Sequence, residues 1–415
     1  MKILVFSSLY PNNMNPRLGV FIKERMVHFA RLTGNEVKVV APVPYFPPIK
    51  IGSRWQFSQV VSHETIDGVE VYHPRYFMTP KVGMIFYGWT MFASVLPTVR
   101  RLRQHYAFDL IDAHFMYPDG LAATLIGRVL GIPVVVSARG SDILRYSQFA
   151  TIRPHLRTTL RTASESIAVS HELKEHMVRL GAPQDKVTVI PNGVDHEKFR
   201  ALPREEARRT LGLAHQPTIL SVGNLTHNKG FDRALVALRN MRSEAGDLRP
   251  QLVIAGEGPL RKHLQEMVAA LGVGEQVRFV GTIPHHDLAW WYSAADVFCL
   301  LSRQEGCPNV VLESLACGTP VVATPVGEIP YLITSDEVGF LAEPNEHDTT
   351  RQLARALHTP WSRDAIRSYA KRYTWERVAH AVAGVFASAV GSGANTEVRC
   401  SSKIGDASQS LAQEE

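Results

Sequence analysis

"KVTVIPNGVDHEKFRAL", residues 186–202, holds a short β-branched run, a Pro-Asn-Gly turn and the start of a charged helical pattern. The turn at Pro191, Asn192 and Gly193 separates two series of similar character. Upstream lie "MKILVFSS", "GVFIKERMVHFARLTG", "EVKVVAP", "DLIDAHF", "GLAATLIGRVLG", "IPVVVSARG" and "ESIAVS". Downstream lie "TILSVGNL", "FDRALVALRNM", "QLVIAGEGP", "RKHLQEMVAALG", "VRFVGTI", "DVFCLLS", "NVVLESLACG" and "PVVAT". Apolar strands separated by helices of about 10–15 residues are the signature of βαβ units and of a parallel sheet covered on both faces. The chain therefore reads as α/β, with two Rossmann-like doubly wound domains over 1–190 and 191–373. A last helix over 374–390, begun by Thr374, is expected to return to the first domain. Sheets of this kind bind ligands beyond the carboxyl ends of their strands, so the two domains are expected to face a central cleft.

The chain has 415 residues, 45% of them hydrophobic and 20% charged, which is enough for two separate cores. From Gly391 onward large apolar residues almost vanish, so 391–415 reads as a disordered tail. Cys299, Cys307, Cys317 and Cys400 form no CxxC pair and no cluster with histidines. That spacing argues against a zinc site and a disulfide framework and points to the reducing cytosol. The N-terminal "MKILVFSSLYPNN" suits a first strand better than a signal peptide. "VGMIFYGWTMFASVLP", residues 82–97, is uncharged, is too short to span a membrane, and runs into "TVRRLRQ". Two readings stay open there. One is a helix buried between strands. The other is peripheral contact with an anionic membrane at its inner face, with Trp89 and Phe92 in the interface and Arg100, Arg101 and Arg103 on lipid phosphates. A net charge of +6 and a pI of about 9.1 suit the second. Nucleic acid is not an expected partner, since no long Lys/Arg run or binding motif accompanies the charge.

Several chemistries fail on the letters. "GEGPLRK" at 256–262 has only GxG before Pro259, so it is no dinucleotide fingerprint. GxxxxGK[ST], GxSxG and DxD are absent, and with the last goes the usual carboxylate pair for a metal-bound diphosphate. "EGCPNVVLESLACG", 305–318, fits a helix with Pro308 at its start and Gly318 at its C-terminal cap. The N-terminal amides and dipole of such a helix attract an anion. Glu305 precedes the helix and Glu313 lies within it. They therefore flank the anion, an arrangement that suits hydroxyls at opposite ends of a nucleotide sugar better than the acid and nucleophile of a glycosidase. Lys229, in "VGNLTHNKGFD", follows a strand in a turn that leads to a helix, and reads either as a solvated loop lysine or as an ammonium placed to reach a phosphate. His114 at a strand end reads as structural on its own. Arg139 and Asp142 in "ARGSDI" pair with each other or serve a substrate. Trp290 and Trp291 read as helix packing, and His285 and His286 lack the spacing of metal ligands.

These motifs together resemble the retaining glycosyltransferases of family 4, which have the GT-B fold. "EGCPNVVLE" is similar to that family's E-x7-E motif and "GNLTHNKG" to its lysine loop, while "GEGP", "VRFVG" and "AADVFCLLS" recur between them. "PRLGVFIKE", "DAHFMYPDG" and "IPNGVD" resemble the acceptor-domain loop, the site-histidine segment and the interdomain crossover. The resemblance covers residues 1 to about 390 and is nearest to transferases of bacterial cell-surface polysaccharides. It implies Glu305 on the transferred sugar, Glu313 on the ribose, and Lys229 and the Gly19 amide on the diphosphate. It also implies His114 in the sugar pocket and the backbone of Gly306, Cys307, Pro308 and Asn309 on sugar or phosphate, with Gly256 and Thr282 in the donor site. Where the family has a second cation this chain has Asn224, for which Arg139 or His227 are the candidate substitutes.

The expected function is metal-independent, retaining transfer of a hexose from a nucleotide diphosphate sugar to a carbohydrate or lipid-linked acceptor, with no cofactor. A GT-B nucleotide-sugar epimerase and a non-catalytic sugar-nucleotide-binding subunit are the alternatives.

Overall fold

The computed structural model describes residues 1–391 apart from 51, 80–82, 214–215 and 245–248. The expected tail, beyond its first residue, and Cys400 lie outside the described residues. Two compact units emerge, one of Met1–Ile190 with the residues from Val378 onward, the other of Pro191–Arg377.

The first unit is built on an eight-stranded sheet. Its strands run in the order Val187–Val189, Glu165–Ala168, Val134–Ala138, Leu110–His114, Lys2–Phe6, Glu36–Val40, Val69–Tyr72 and His63–Ile66. All pairs are parallel except the last, a hairpin turned by Asp67 and Gly68 at φ 48° and 81°. Asp-Gly between alternating apolar residues is a hairpin signal, and it shows why an antiparallel edge completes a parallel sheet. The central strands Leu110–His114 and Val134–Ala138 are wholly buried, the second as its run of valines requires, the first with Asp112 and His114 inside it.

Residues 87–105 form a single helix, Tyr87–His105. Its buried face is Gly88, Met91, Val95, Val99 and Leu102, at helical spacing. The helix in the stretch read as uncharged is therefore covered on one face only. Among the described residues no helix is long and apolar enough to cross a membrane. The last helix runs over 375–391, with the Thr374 hydroxyl accepting from the Arg377 amide at 3.3 Å. Within the first unit, Phe386 meets Phe29 edge-on at 5.3 Å.

The second unit has six parallel strands in the order Val277–Gly281, Gln251–Ala255, Thr218–Val222, Val297–Leu300, Val321–Ala323 and Gly339–Leu341. This is the doubly wound order 3-2-1-4-5-6. The helix Phe231–Glu244 covers one face with Leu235, Leu238 and Met241 buried, joined there by Leu353 and Ala356 of Glu346–His358.

Candidate functional site

In each unit the strand order reverses at one point, and the connections diverge there to leave a crevice at the carboxyl ends. In the second unit that point lies between Thr218–Val222 and Val297–Leu300. The loop after the first strand carries Lys229 and the loop after the second carries Glu305. Lys229 Nζ donates to Glu305 Oε1 at 2.6 Å, and Ser302 Oγ donates to the same oxygen at 2.6 Å. Both partners of the ion pair are mostly buried, at 23% and 10% side-chain exposure. An ammonium has three donors, so Lys229 can keep this carboxylate and still take a second anion.

Bonds that the sequence did not reveal tie the two loops together. Arg303 donates to the His227 carbonyl and forks onto Asp232 at 2.6 and 3.2 Å. Asn228 Nδ2 reaches the Gln304 carbonyl at 2.6 Å, and the Arg303 amide reaches the Asn228 carbonyl at 2.8 Å. Gly256 has φ +137°, and a Cβ there would lie 1.9 Å from the Gly223 carbonyl oxygen. Only glycine lets these two strand ends approach so closely. Asn224 and Thr282 lie exposed in the loops that follow their strands.

The helix Asn309–Ala316 starts after Pro308, and Gly318 follows its end at φ +77°. Its loop is latched by three bonds from two residues. Asn192 Nδ2 donates to the Cys307 carbonyl at 3.0 Å and to Asn309 Oδ1 at 2.8 Å, and the Glu328 amide donates to the Gly306 carbonyl at 2.8 Å. Asn192 belongs to the Pro-Asn-Gly turn, so the segment that marks the boundary in sequence also holds the site loop. The opening amides of a helix have no partner within it and carry positive potential, which here rises just past Glu305.

Glu313 is 4% exposed and its two oxygens are both engaged. His285 Nε2 lies 2.9 Å from Oε1, and Tyr292 donates its phenol to Oε2 at 2.9 Å. Burial, with the Glu313 charge and hydrogen bond added, raises the Tyr292 phenol well above its ordinary range, so it remains a donor. Phe199 packs edge-on against His285 at 5.1 Å. Neither histidine spacing nor the neighbouring tryptophans pointed to this clamp. Trp291 is buried in helix packing, as expected.

In the first unit the reversal lies between Lys2–Phe6 and Leu110–His114. His114 is fully buried at the end of the second of these strands. Its Nε2 lies 2.9 Å from Asp112 Oδ2, and Arg139 Nη2 lies 2.7 Å from its Nδ1. Burial pushes the imidazole down to about 4, against the pull of Asp112, so it is neutral at pH 7. An Arg N–H toward Nδ1 then places the ring proton on Nε2, facing Asp112. Burial alone would raise Asp112, yet His114 and the charges of Arg25 and Arg139 hold it below the usual carboxylate range. The Arg139 guanidinium sits over the Phe21 ring at 5.6 Å. Arg139 and Asp142 do pair, but through the backbone: Asp142 accepts from the amides of Arg139, Gly140 and Met116 at 3.0, 2.8 and 2.9 Å.

After the neighbouring strand, Asp119 accepts from the Ser8 amide, and from the Ser8 hydroxyl at 2.9 Å. Burial pushes its carboxyl up to about 7. Gly19 opens the helix Val20–Thr33 at φ +60°, and a Cβ would lie 2.0 Å from the Leu9 carbonyl oxygen. Among the described residues no group of His, Cys, Asp and Glu side chains is placed to hold a metal ion.

Two family models match this chain. Glycosyltransferase Family 4 covers residues 20–198, and Glycosyl transferases group 1 covers 203–373. The Bacillus subtilis protein TuaC, named as a teichuronic acid biosynthesis glycosyltransferase, is 31% identical over 339 residues, which span 80% of this chain and 83% of that protein. D-inositol 3-phosphate glycosyltransferase 1 of Catenulispora acidiphila is 29% identical over 409 residues, 91% of each chain. The crystal structure of Anabaena HepE in complex with UDP superposes at a TM-score of 0.71, with 19% identity over 94% of this chain and all of that one.

Proposed function

The chain belongs to the group 1 and family 4 glycosyltransferases and has their GT-B fold, and from that membership we propose that it moves a hexose from a nucleotide diphosphate sugar to an acceptor hydroxyl with retention. The observation that carries this reading is the Lys229–Glu305 pair at the strand-order reversal, with Glu313 eight residues on across a short helix. Lys229 and the opening amides of that helix neutralise the departing diphosphate. Glu305 accepts from hydroxyls of the transferred sugar and Glu313 from the ribose. Transfer passes through an oxocarbenium-like state, and stabilising the leaving group is the main electrostatic task. The protein supplies no nucleophile; an oxygen of the departing phosphate takes the acceptor proton on the same face. The Gly19 amide and the Arg139 guanidinium, oriented by His114, serve the same reaction from the first unit.

Likeness to a protein named as a teichuronic acid biosynthesis glycosyltransferase supports a carbohydrate or lipid-linked acceptor in polysaccharide synthesis. The test is slow hydrolysis and transfer measured over a panel of nucleotide sugars. Lys229→Ala and Glu305→Ala should each abolish turnover while leaving the folded fraction intact by circular dichroism. Near-normal turnover in both variants would overturn the assignment, and conversion of the donor to an epimer without transfer would replace transfer with epimerisation.

A further inference from the structure

Five of the exposed large apolar side chains lie on neighbouring segments of the first unit. Tyr45, Ile49, Phe77, Phe86 and Trp89 are each between 47% and 60% exposed. Three segments carry them. Val43–Pro44 pairs with Arg75–Tyr76, and the Tyr45 amide continues the ladder to the Tyr76 carbonyl at 2.7 Å, so Tyr45 and Phe77 leave adjacent strands side by side. Arg75–Tyr76 packs on the helix Tyr87–His105, and the Tyr87 phenol donates to the Thr79 carbonyl. Tyr117 donates to the Met84 carbonyl, which fastens the start of the helix to the segment just after His114.

The outer face of the helix is graded. Its exposed positions, Phe86, Trp89, Ala93, Pro97, Arg100 and Gln104, recur at helical spacing, opposite the buried face. The stripe is aromatic at its start, Phe86 and Trp89, and becomes basic at Arg100, with exposed Arg101 alongside. The surrounding sequence is one-signed. Residues 43–63 and 74–108 contain no Asp or Glu, although the chain has 39. The same stretches hold Lys50, Arg54, Arg75, Lys81, Arg100, Arg101 and Arg103. Exposed apolar groups on this scale mark a contact surface, and flanking stretches that carry basic groups and no carboxylate favour an anionic partner.

We propose that this face docks on an anionic lipid bilayer, with Tyr45, Ile49, Phe77, Phe86 and Trp89 entering the headgroup boundary and the arginine end of the helix lying over lipid phosphates. Aromatic side chains settle at the interface because one end is apolar and the other wet, and each basic group near a negative surface adds attraction that salt screens. A docking surface formed by three chain segments explains why the helix leaves its aromatic stripe uncovered. It also sets the contact residues apart from those suggested by 82–97 alone: Phe92 is only partly exposed and is replaced by Tyr45, Ile49 and Phe77. The proposal goes beyond the transfer reaction and does not depend on it.

The full chain is sedimented with vesicles of phosphatidylcholine alone and of phosphatidylcholine with about one third phosphatidylglycerol, at low and high salt. Wild type should pellet with the anionic vesicles at low salt and be released by high salt. Phe86→Ser/Trp89→Ser and Tyr45→Ser/Phe77→Ser should each weaken the partition at least about tenfold, by loss of buried apolar area. All four side chains are exposed, so the thermal midpoint and the donor-stabilised midpoint should stay at wild-type values. Wild-type partition in both double variants would overturn the proposal. So would failure of wild type to bind anionic vesicles, including the case where light scattering shows a dimer that Phe86→Ser/Trp89→Ser abolishes, which would make the face an interface between copies.

Discussion

Tyr292→Phe removes one oxygen and leaves the ring volume unchanged. In the folded protein that oxygen donates at 2.9 Å to a carboxylate that is 4% exposed. Water cannot readily replace the lost donor, so the variant leaves one oxygen of a buried charge short of a partner. A hydrogen bond to a charged group is worth ~1.5–3 kcal/mol when removed in this way. His285 still holds the other oxygen, which argues for the middle of that range, about 2 kcal/mol. For a unit of this size that corresponds to a midpoint roughly 4–8 °C lower. Calorimetry on the full chain should show the loss in the transition of the second unit. A double-mutant cycle with Glu313→Gln should give a coupling of about 1–2 kcal/mol, because the phenol acts through Glu313. The same clamp fixes the carboxylate proposed for the ribose. A site built around a hydroxyl rejects its absence strongly, so preference for a nucleoside diphosphate over its 2′-deoxy form should shrink in Tyr292→Phe and His285→Ala. A midpoint within about 0.5 kcal/mol of wild type, or additive effects of the two changes, would refute the reasoning.

Other outcomes follow from the first unit. His114 titrates near 4 when folded against an ordinary 6.5, so its contribution is present above 6.5 and is lost as pH falls toward 4. Asp119 titrates near 7 against an ordinary 3.8, so its contribution is present below 3.8 and is lost as pH rises through 7. The two oppose each other at about 3–4 kcal/mol apiece. Denaturant melts between pH 4 and 7 should therefore show stability rising more steeply with pH in Asp119→Asn than in wild type, and falling relative to wild type in His114→Asn. Equal slopes in all three would contradict the burial assigned to both groups. Gly19→Ala would set a Cβ against the Leu9 backbone, whereas Gly34, at φ +68°, has open space around it. Both changes carry the left-handed penalty of ~1–2 kcal/mol, but Gly19→Ala should lose at least about 1 kcal/mol more in urea unfolding, with donor binding weakened as well.

Much of the fold was legible in the chain. Continuous β-branched runs can only be buried from both sides, and their alternation with helical spacing dictates parallel sheets. Pro191-Asn192-Gly193 marks where one series stops. The Asp67-Gly68 hairpin carried a clear signal too, although its flanking strands are short and half polar. Glu305 and Glu313 stood out because charged groups in apolar surroundings need a reason, and Lys229 because it follows a strand in a turn that leads to a helix. The strand order then brought Lys229 and Glu305, 76 positions apart, to 2.6 Å.

Periodicity fixes which face of an element is apolar; it does not fix what covers that face or what a polar tip meets. Residues 82–97 are uncharged throughout, and only packing revealed that one side of their helix is filled by the core while Trp89 is left outside. His285, Tyr292, Asn192 and Arg303 sit on other elements than the carboxylates and carbonyls they hold, so no local pattern could announce them. His114 and Arg139 became partners because adjacent parallel strands end side by side, and burial, which depends on the whole unit, decides that the histidine is neutral. Sequence by itself determined the element types and the turn that divides the chain, because these follow from local periodicity and composition, and it singled out the charged residues of the candidate site. The tertiary structure decided their partners, protonation and exposure, because those depend on groups far apart in the chain and on the water that folding removes.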